Sequence, residues 1–165
     1  MTTSYANSGG TGDRTGIITT STSMALYGGS VISNLVNGSF TANASNAIAF
    51  TTTGAVSGEY IRFDFGSGKV IDEAKWYQDA SNTHGTWKWQ GSNDASSWTD
   101  IGTTFTLGGT TQTITELSGN ITAYRYYQLL GVSGNRSSTP WITEIEFKIG
   151  DPSTFTGFNM PMLGM

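Results

Sequence analysis

Large apolar residues in this chain recur at every second position, in short runs, and a period of two is the spacing of a strand with one buried face. In residues 141–149, Trp141, Thr143, Ile145, Phe147 and Ile149 alternate with Ile142, Glu144, Glu146 and Lys148. The same period puts Ile61, Phe63 and Phe65 on one face of residues 59–65, with Arg62 and Asp64 on the other. Trp87 and Trp89 share a face of residues 86–90, which assigns both to a core. Further short runs at 70–78, 98–101, 103–107, 110–117 and 124–130 are separated by Gly, Ser and Asn. Gly66-Ser67-Gly68 reads as a hairpin turn and residues 79–85 as a polar loop. No stretch has the spacing of a long amphipathic helix; residues 31–36 read as a short turn or helix closing at Asn37-Gly38. Evenly spaced short strands predict an all-β sandwich or barrel.

The 165 residues suit one domain and are enough to bury a core without covalent staples. With no cysteine, disulfides, thiolate zinc sites and cysteine nucleophiles are excluded together. Eight basic against twelve acidic residues, a net charge of -4 and no Lys/Arg cluster argue against nucleic acid as a partner. No stretch approaches ~18 consecutive apolar residues, and the first residues lack a basic segment followed by an apolar one. Neither membrane insertion nor a signal peptide is therefore expected. The composition divides the chain into a Ser/Thr/Gly-rich N-terminal arm (1–16), a β-sandwich domain (17–150) and an apolar C-terminal tail (151–165). The tail is too short to build a core, so Phe155, Phe158, Met160, Met162 and Leu163 are expected to dock on a partner.

The run Trp87-Lys88-Trp89-Gln90-Gly91-Ser92-Asn93-Asp94-Ala95-Ser96-Ser97-Trp98-Thr99-Asp100-Ile101-Gly102 resembles the discoidin, or coagulation factor 5/8 type C, family of galactose-binding-like domains. Tyr60-Ile61-Arg62-Phe63-Asp64-Phe65-Gly66, Leu35-Val36-Asn37-Gly38 and the pair Tyr124–Leu130 and Trp141–Phe147 are similar to further elements of that family, in the same order. The resemblance implies a discoidin-like jelly-roll β-sandwich, here with extended N- and C-terminal arms, whose ligand sits in loops at one end. The equivalent loops are 37–50, 79–86 and 133–140. Their polar residues Asp79, Asn82, His84, Asn135 and Arg136 suit the hydrogen-bonding of sugar hydroxyls, and Trp141 or Tyr77 is the candidate platform for a sugar ring. The family's structural Ca²⁺ would fall to Asn37 and Glu144, but Asn37 stands where the family has aspartate, which weakens a carboxylate-dependent site. No other cofactor is implied, and Glu144 otherwise reads as a solvent-facing strand residue.

No nucleophile–base pairing emerges from a single histidine, and no Gly-x-Ser-x-Gly occurs. Residues 65–70 are only superficially like a phosphate loop, because the first glycine is missing and Val70 stands where Ser or Thr would hold Mg²⁺. The expectation is a non-catalytic, virion-associated module of a bacteriophage tail or head, made in the host cytoplasm, that recognises host-surface carbohydrate. The alternative is a purely structural capsid decoration or tail adaptor anchored through its arms. Under both, other virion proteins or copies of the chain itself are the expected partners.

Overall fold

The alternating runs become nine strands and one short 3-10 helix in a computed structural model that describes residues 2–150. The strands are β1 (Thr19–Thr22), β2 (Gly54–Ala55), β3 (Tyr60–Gln78), β4 (Thr83–Ser92), β5 (Thr99–Gly108), β6 (Gln112–Glu116), β7 (Tyr124–Ser133), β8 (Asn135–Arg136) and β9 (Ile142–Gly150). The 3-10 turn is Ile32–Val36, and no α-helix occurs among the described residues. The proposed docking residues Phe155, Phe158, Met160, Met162 and Leu163 lie outside the described residues.

β3 organises the sandwich by belonging to both layers. Its first half, from Tyr60 to Asp64, pairs antiparallel with β1 and β7 in the order β1–β3–β7–β4–β5. Its second half, from Val70 to Gln78, lies between β6 and β9. The Gly66-Ser67-Gly68 hairpin is therefore corrected: the strand runs on through it. The register slips between Asp64 and Lys69, and Gly66 at φ 71°, with its N–H on Asp64 Oδ1 at 2.8 Å, makes the bend that passes the strand from one sheet to the other.

The two layers meet through the alternating faces read from the sequence. Phe147 of β9 packs edge-on against Phe63 at 5.1 Å and Phe65 at 5.2 Å, and Trp89 lies 6.2 Å from it. Trp76, Trp87, Trp89, Phe63 and Phe147 are fully buried. The outer face of the larger sheet is tied by a polar chain: Arg62 Nε donates to Gln128 Oε1, Gln128 Nε2 to Gln90 Oε1, and Gln90 Nε2 to Asp100 Oδ1, each at 2.6 Å.

Residues 2–16, whose composition reads as an arm, are packed on the sandwich. β9 is an edge strand, and this segment covers its open side: Ser4 and Ile149 exchange backbone hydrogen bonds, and the Phe147 N–H donates to Gly10 O. Gly10 is required there, since a Cβ would fall 2.2 Å from Tyr5 O. The low apolar content of the segment is no obstacle, because what it supplies is backbone pairing and the side chain of Arg14, which is buried.

Candidate functional site

At one end of the sandwich the turn after β3, the segment before β9 and the loop carrying Tyr27 enclose a cleft of about 480 Å³. Each wall has a local cause. The turn 79–82 is held from beneath by Gln78, whose buried amide accepts from Trp76 Nε1 at 2.9 Å and donates to Ala80 O at 2.6 Å and Asn82 O at 2.7 Å. The Asp79 N–H donates to Trp141 O at 3.0 Å, which binds this turn to the start of β9. Asn82 Nδ2 donates to Thr139 O at 3.2 Å and fixes the facing segment. Tyr27 is set by its N–H on Ala49 O at 2.7 Å, and Trp141 is set by the neighbouring reciprocal pair of Ile142 and Ile48.

Tyr27 and Trp141 meet edge to face, ring centres 5.9 Å apart at 77°, and form an apolar corner. Tyr27 is half exposed, which for an aromatic ring in a cleft mouth leaves a face open to a guest. The same cleft is lined by Asp79, Ser138 and Thr139. Asp79 is exposed and its carboxylate makes no hydrogen bond or ion pair among the described residues. Among the described residues it is also the only charged side chain lining the cleft. An apolar corner in one cleft with a few hydroxyls and one acceptor-only carboxylate is suited to a guest with one hydrocarbon face and several hydroxyl groups.

Of the residues chosen from sequence, Asp79 and Trp141 line this cleft, and Asn82 braces its wall. The others are elsewhere. His84 is corrected from a loop residue to a buried one on β4. It is fully enclosed, edge-on to Phe50 at 5.4 Å and to Trp76 at 6.3 Å, and its Nδ1 accepts the Ser137 N–H at 3.3 Å. Burial holds its imidazole down to about 4. Asn135 and Arg136 form β8, paired with β2, and Arg136 Nη1 donates to Ala55 O at 2.9 Å beside Glu59. The alternative platform, Tyr77, is engaged by Glu146 Oε2 at 2.7 Å and by the Phe40 ring. Tyr27 and Gln78 were missed. Tyr27 precedes Gly28-Gly29 in a segment with no alternation, so nothing in the sequence paired it with Trp141.

The expected metal ligands do not fit a Ca²⁺ site. Asn37 Oδ1 accepts the Ser39 N–H at 2.8 Å, and its Nδ2 donates to Asn46 O at 3.0 Å. Glu144 is corrected from a solvent-facing residue to one exposed by only 1%; its Oε2 accepts the Gly38 N–H at 2.7 Å and its Oε1 takes Arg14 Nη2. A guanidinium thus already faces the carboxylate. Among the described residues no cluster of three or more His, Asp or Glu side chains gathers to hold a metal ion.

No protein-family model and no curated protein sequence matches the chain. Solved structures do match. The CBM32 of AlyQ, in complex with 4,5-unsaturated mannuronic acid, superposes with a TM-score of 0.57 over 79% of this chain and 94% of its own, at 24% identity. The chain has the discoidin-like fold. Two further discoidin-like domains agree: GH31 CBM32-2 bound to GalNAc, with a TM-score of 0.56, 20% identity and coverage of 79% and 95%, and the family 32 CBM of C. perfringens NanJ in complex with galactose, at 0.55, 12%, 83% and 97%. At these identities the likeness establishes the discoidin-like sandwich, and the cleft has to be argued from its own residues.

Proposed function

We propose that the chain is a non-catalytic module that binds uncharged glycans of a host surface through the Tyr27–Trp141 cleft, carried on a bacteriophage virion. The observation that bears most weight is the composition of the cleft: an aromatic corner together with Asp79, Ser138 and Thr139, and no cationic side chain among the described residues that line it. Such a wall stacks on the C–H face of a pyranose while the polar side takes its hydroxyls. A uronate or sialate would bring its carboxylate toward Asp79 with no cation to receive it, which favours neutral sugars. Three structurally similar domains carry sugars, 4,5-unsaturated mannuronic acid in one and the neutral GalNAc and galactose in the others, which supports the carbohydrate reading.

A non-catalytic role is supported by the same lining. Glycoside hydrolysis by the usual route needs two carboxyl groups flanking the bond, roughly 5–10 Å apart, and the described residues lining this cleft contribute one. The virion setting is supported by a surface rich in uncharged Thr, Ser, Asn and Gly, and by an apolar C-terminal segment suited to docking on virion proteins or on copies of the chain. Many copies on one particle would turn weak single-site binding into firm attachment.

The test is a glycan array with the full chain, followed by calorimetry on the sugars that bind, for the wild type and Trp141→Ala. Neutral hexoses or N-acetylhexosamines are expected to bind, and the variant is expected to lose at least about tenfold in affinity with its fold retained. Failure to bind any arrayed glycan, or binding indifferent to Trp141, would refute the reading and leave a scaffold.

A further inference from the structure

The N-terminal segment, the 36–38 turn and β9 converge on one buried point, and a single side chain fills it. Arg14 and Glu144 are each exposed by only 1%. The Arg14 guanidinium donates through Nη1 to Gly10 O at 2.8 Å, through Nε to Gly12 O at 2.9 Å and through Nη2 to Glu144 Oε1. Glu144 Oε2 accepts the Gly38 N–H, and the Arg14 N–H donates to Val36 O at 2.8 Å. Two backbone carbonyls and a carboxylate oxygen arranged around one point are the oxygen donors that a hard cation takes. Here the charge at their centre is a guanidinium whose three nitrogens are all used.

We infer that Arg14 is the internal cation of this fold: it occupies the place where the resemblance put Ca²⁺, and it makes closure of this end of the sandwich independent of metal. Two further features agree. The turn is pressed against the segment that carries Arg14, since a Cβ on Gly38, at φ 74°, would fall 2.6 Å from the Gly12 carbonyl carbon. The position among these oxygens, where Ca²⁺ would gather six to eight, is taken by the guanidinium itself. Asn37, at the aspartate position, brings no second negative charge, and the guanidinium is paired directly with one carboxylate, that of Glu144. A second carboxylate would leave the buried group negative; a metal ion beside Arg14 would leave it positive.

Thermal unfolding of the full chain tests this, in millimolar Ca²⁺ and in excess chelator, for the wild type, Arg14→Met and Arg14→Lys. The wild-type Tm is expected to be the same in both solutions. Arg14→Met strands the carboxylate and two carbonyls, and its Tm is expected to fall by about 10 °C or more. Arg14→Lys keeps the charge but not the fork, and is expected to lose less. A wild-type Tm raised by Ca²⁺, or equal losses in the two variants, would overturn the inference. Calorimetric titration of the wild type with Ca²⁺ alone gives a readout that needs no variant to fold, and saturable binding there would overturn it as well.

Discussion

The enclosed imidazole of His84 makes stability depend on pH in a way that can be worked out in advance. An exposed histidine titrates near 6.5; inside this fold burial lowers the value to about 4, with no carboxylate placed to offset it. Between those values the unfolded chain carries a proton on His84 and the folded chain does not, so acid favours unfolding. Each pH unit in the interval is worth ~1.4 kcal/mol, and the whole interval therefore about 3 kcal/mol. The contribution is complete above pH 6.5, falls as the pH drops, and is gone near pH 4. Urea unfolding followed by tryptophan fluorescence, at several pH values from 7 to 4, would read it against His84→Gln, which stays neutral and retains an acceptor for the Ser137 N–H. With a slope near ~2 kcal/mol per molar urea, the wild-type midpoint is expected to lose about 1.5 M more than the variant's over that range. Asp64 and Asp100, held below the ordinary carboxylate value mainly by Arg125 and Lys88 respectively, contribute equally to both proteins and cancel in the difference. Parallel pH profiles for the two proteins, or a folded-state His84 resonance titrating near 6.5, would refute the argument from burial.

Gln78→Ala removes the acceptor of Trp76 Nε1 and the donor to two turn carbonyls, so a cost of about 2–4 kcal/mol in urea unfolding is expected, together with weaker sugar binding as the 79–82 turn relaxes. Full retention of both would show that the turn is set by its own backbone. Asp79→Asn keeps the shape of an exposed side chain and should change stability by no more than about 0.5 kcal/mol. Its effect is expected in selectivity: calorimetry at low salt should show uronates gaining on neutral sugars, with a smaller gain at about 0.15 M salt. An unchanged ratio would remove electrostatics from the account of specificity.

The sandwich was legible because its evidence is local. Alternation at Ile61, Phe63 and Phe65, at Trp87 and Trp89 and at Ile145, Phe147 and Ile149 names a buried face without reference to anything distant. Where reading failed, the deciding contact was long-range. Gly66-Ser67-Gly68 has the composition of a hairpin, and only the pairing of the two halves of β3 with different partners shows that the strand continues. Glu144 occupies an outward position by alternation, yet an arginine 130 residues earlier covers it. His84 sits among polar neighbours in sequence but beneath Phe50 and Trp76 in space. In the cleft, Asp79 and Trp141 are legible because the resemblance places ligands in loops at one end of a jelly roll. Tyr27 is not, since its place depends on backbone pairing of its loop with residues 49–51, more than twenty positions away.

The buried ion pair and the open cleft are linked through one short piece of chain. Trp141, which supplies the aromatic wall, is three residues before Glu144, and between them Ile142 is bridged to Ile48 and buried. A ligand that gains only a few weak contacts cannot also meet the entropy of ordering its own site, so a platform in a shallow cleft has to be held in place beforehand. Here the start of β9 is pinned on both sides of Ile142, by the Asp79 N–H at Trp141 and by Arg14 and Gly38 at Glu144. The N-terminal segment brings that arginine and pairs along the outer edge of β9, so it belongs to the machinery that holds the cleft in shape. Removing residues 2–16 would therefore take away more than an appendage: it would expose a sheet edge, strand a buried carboxylate and loosen the wall on which a sugar would stack.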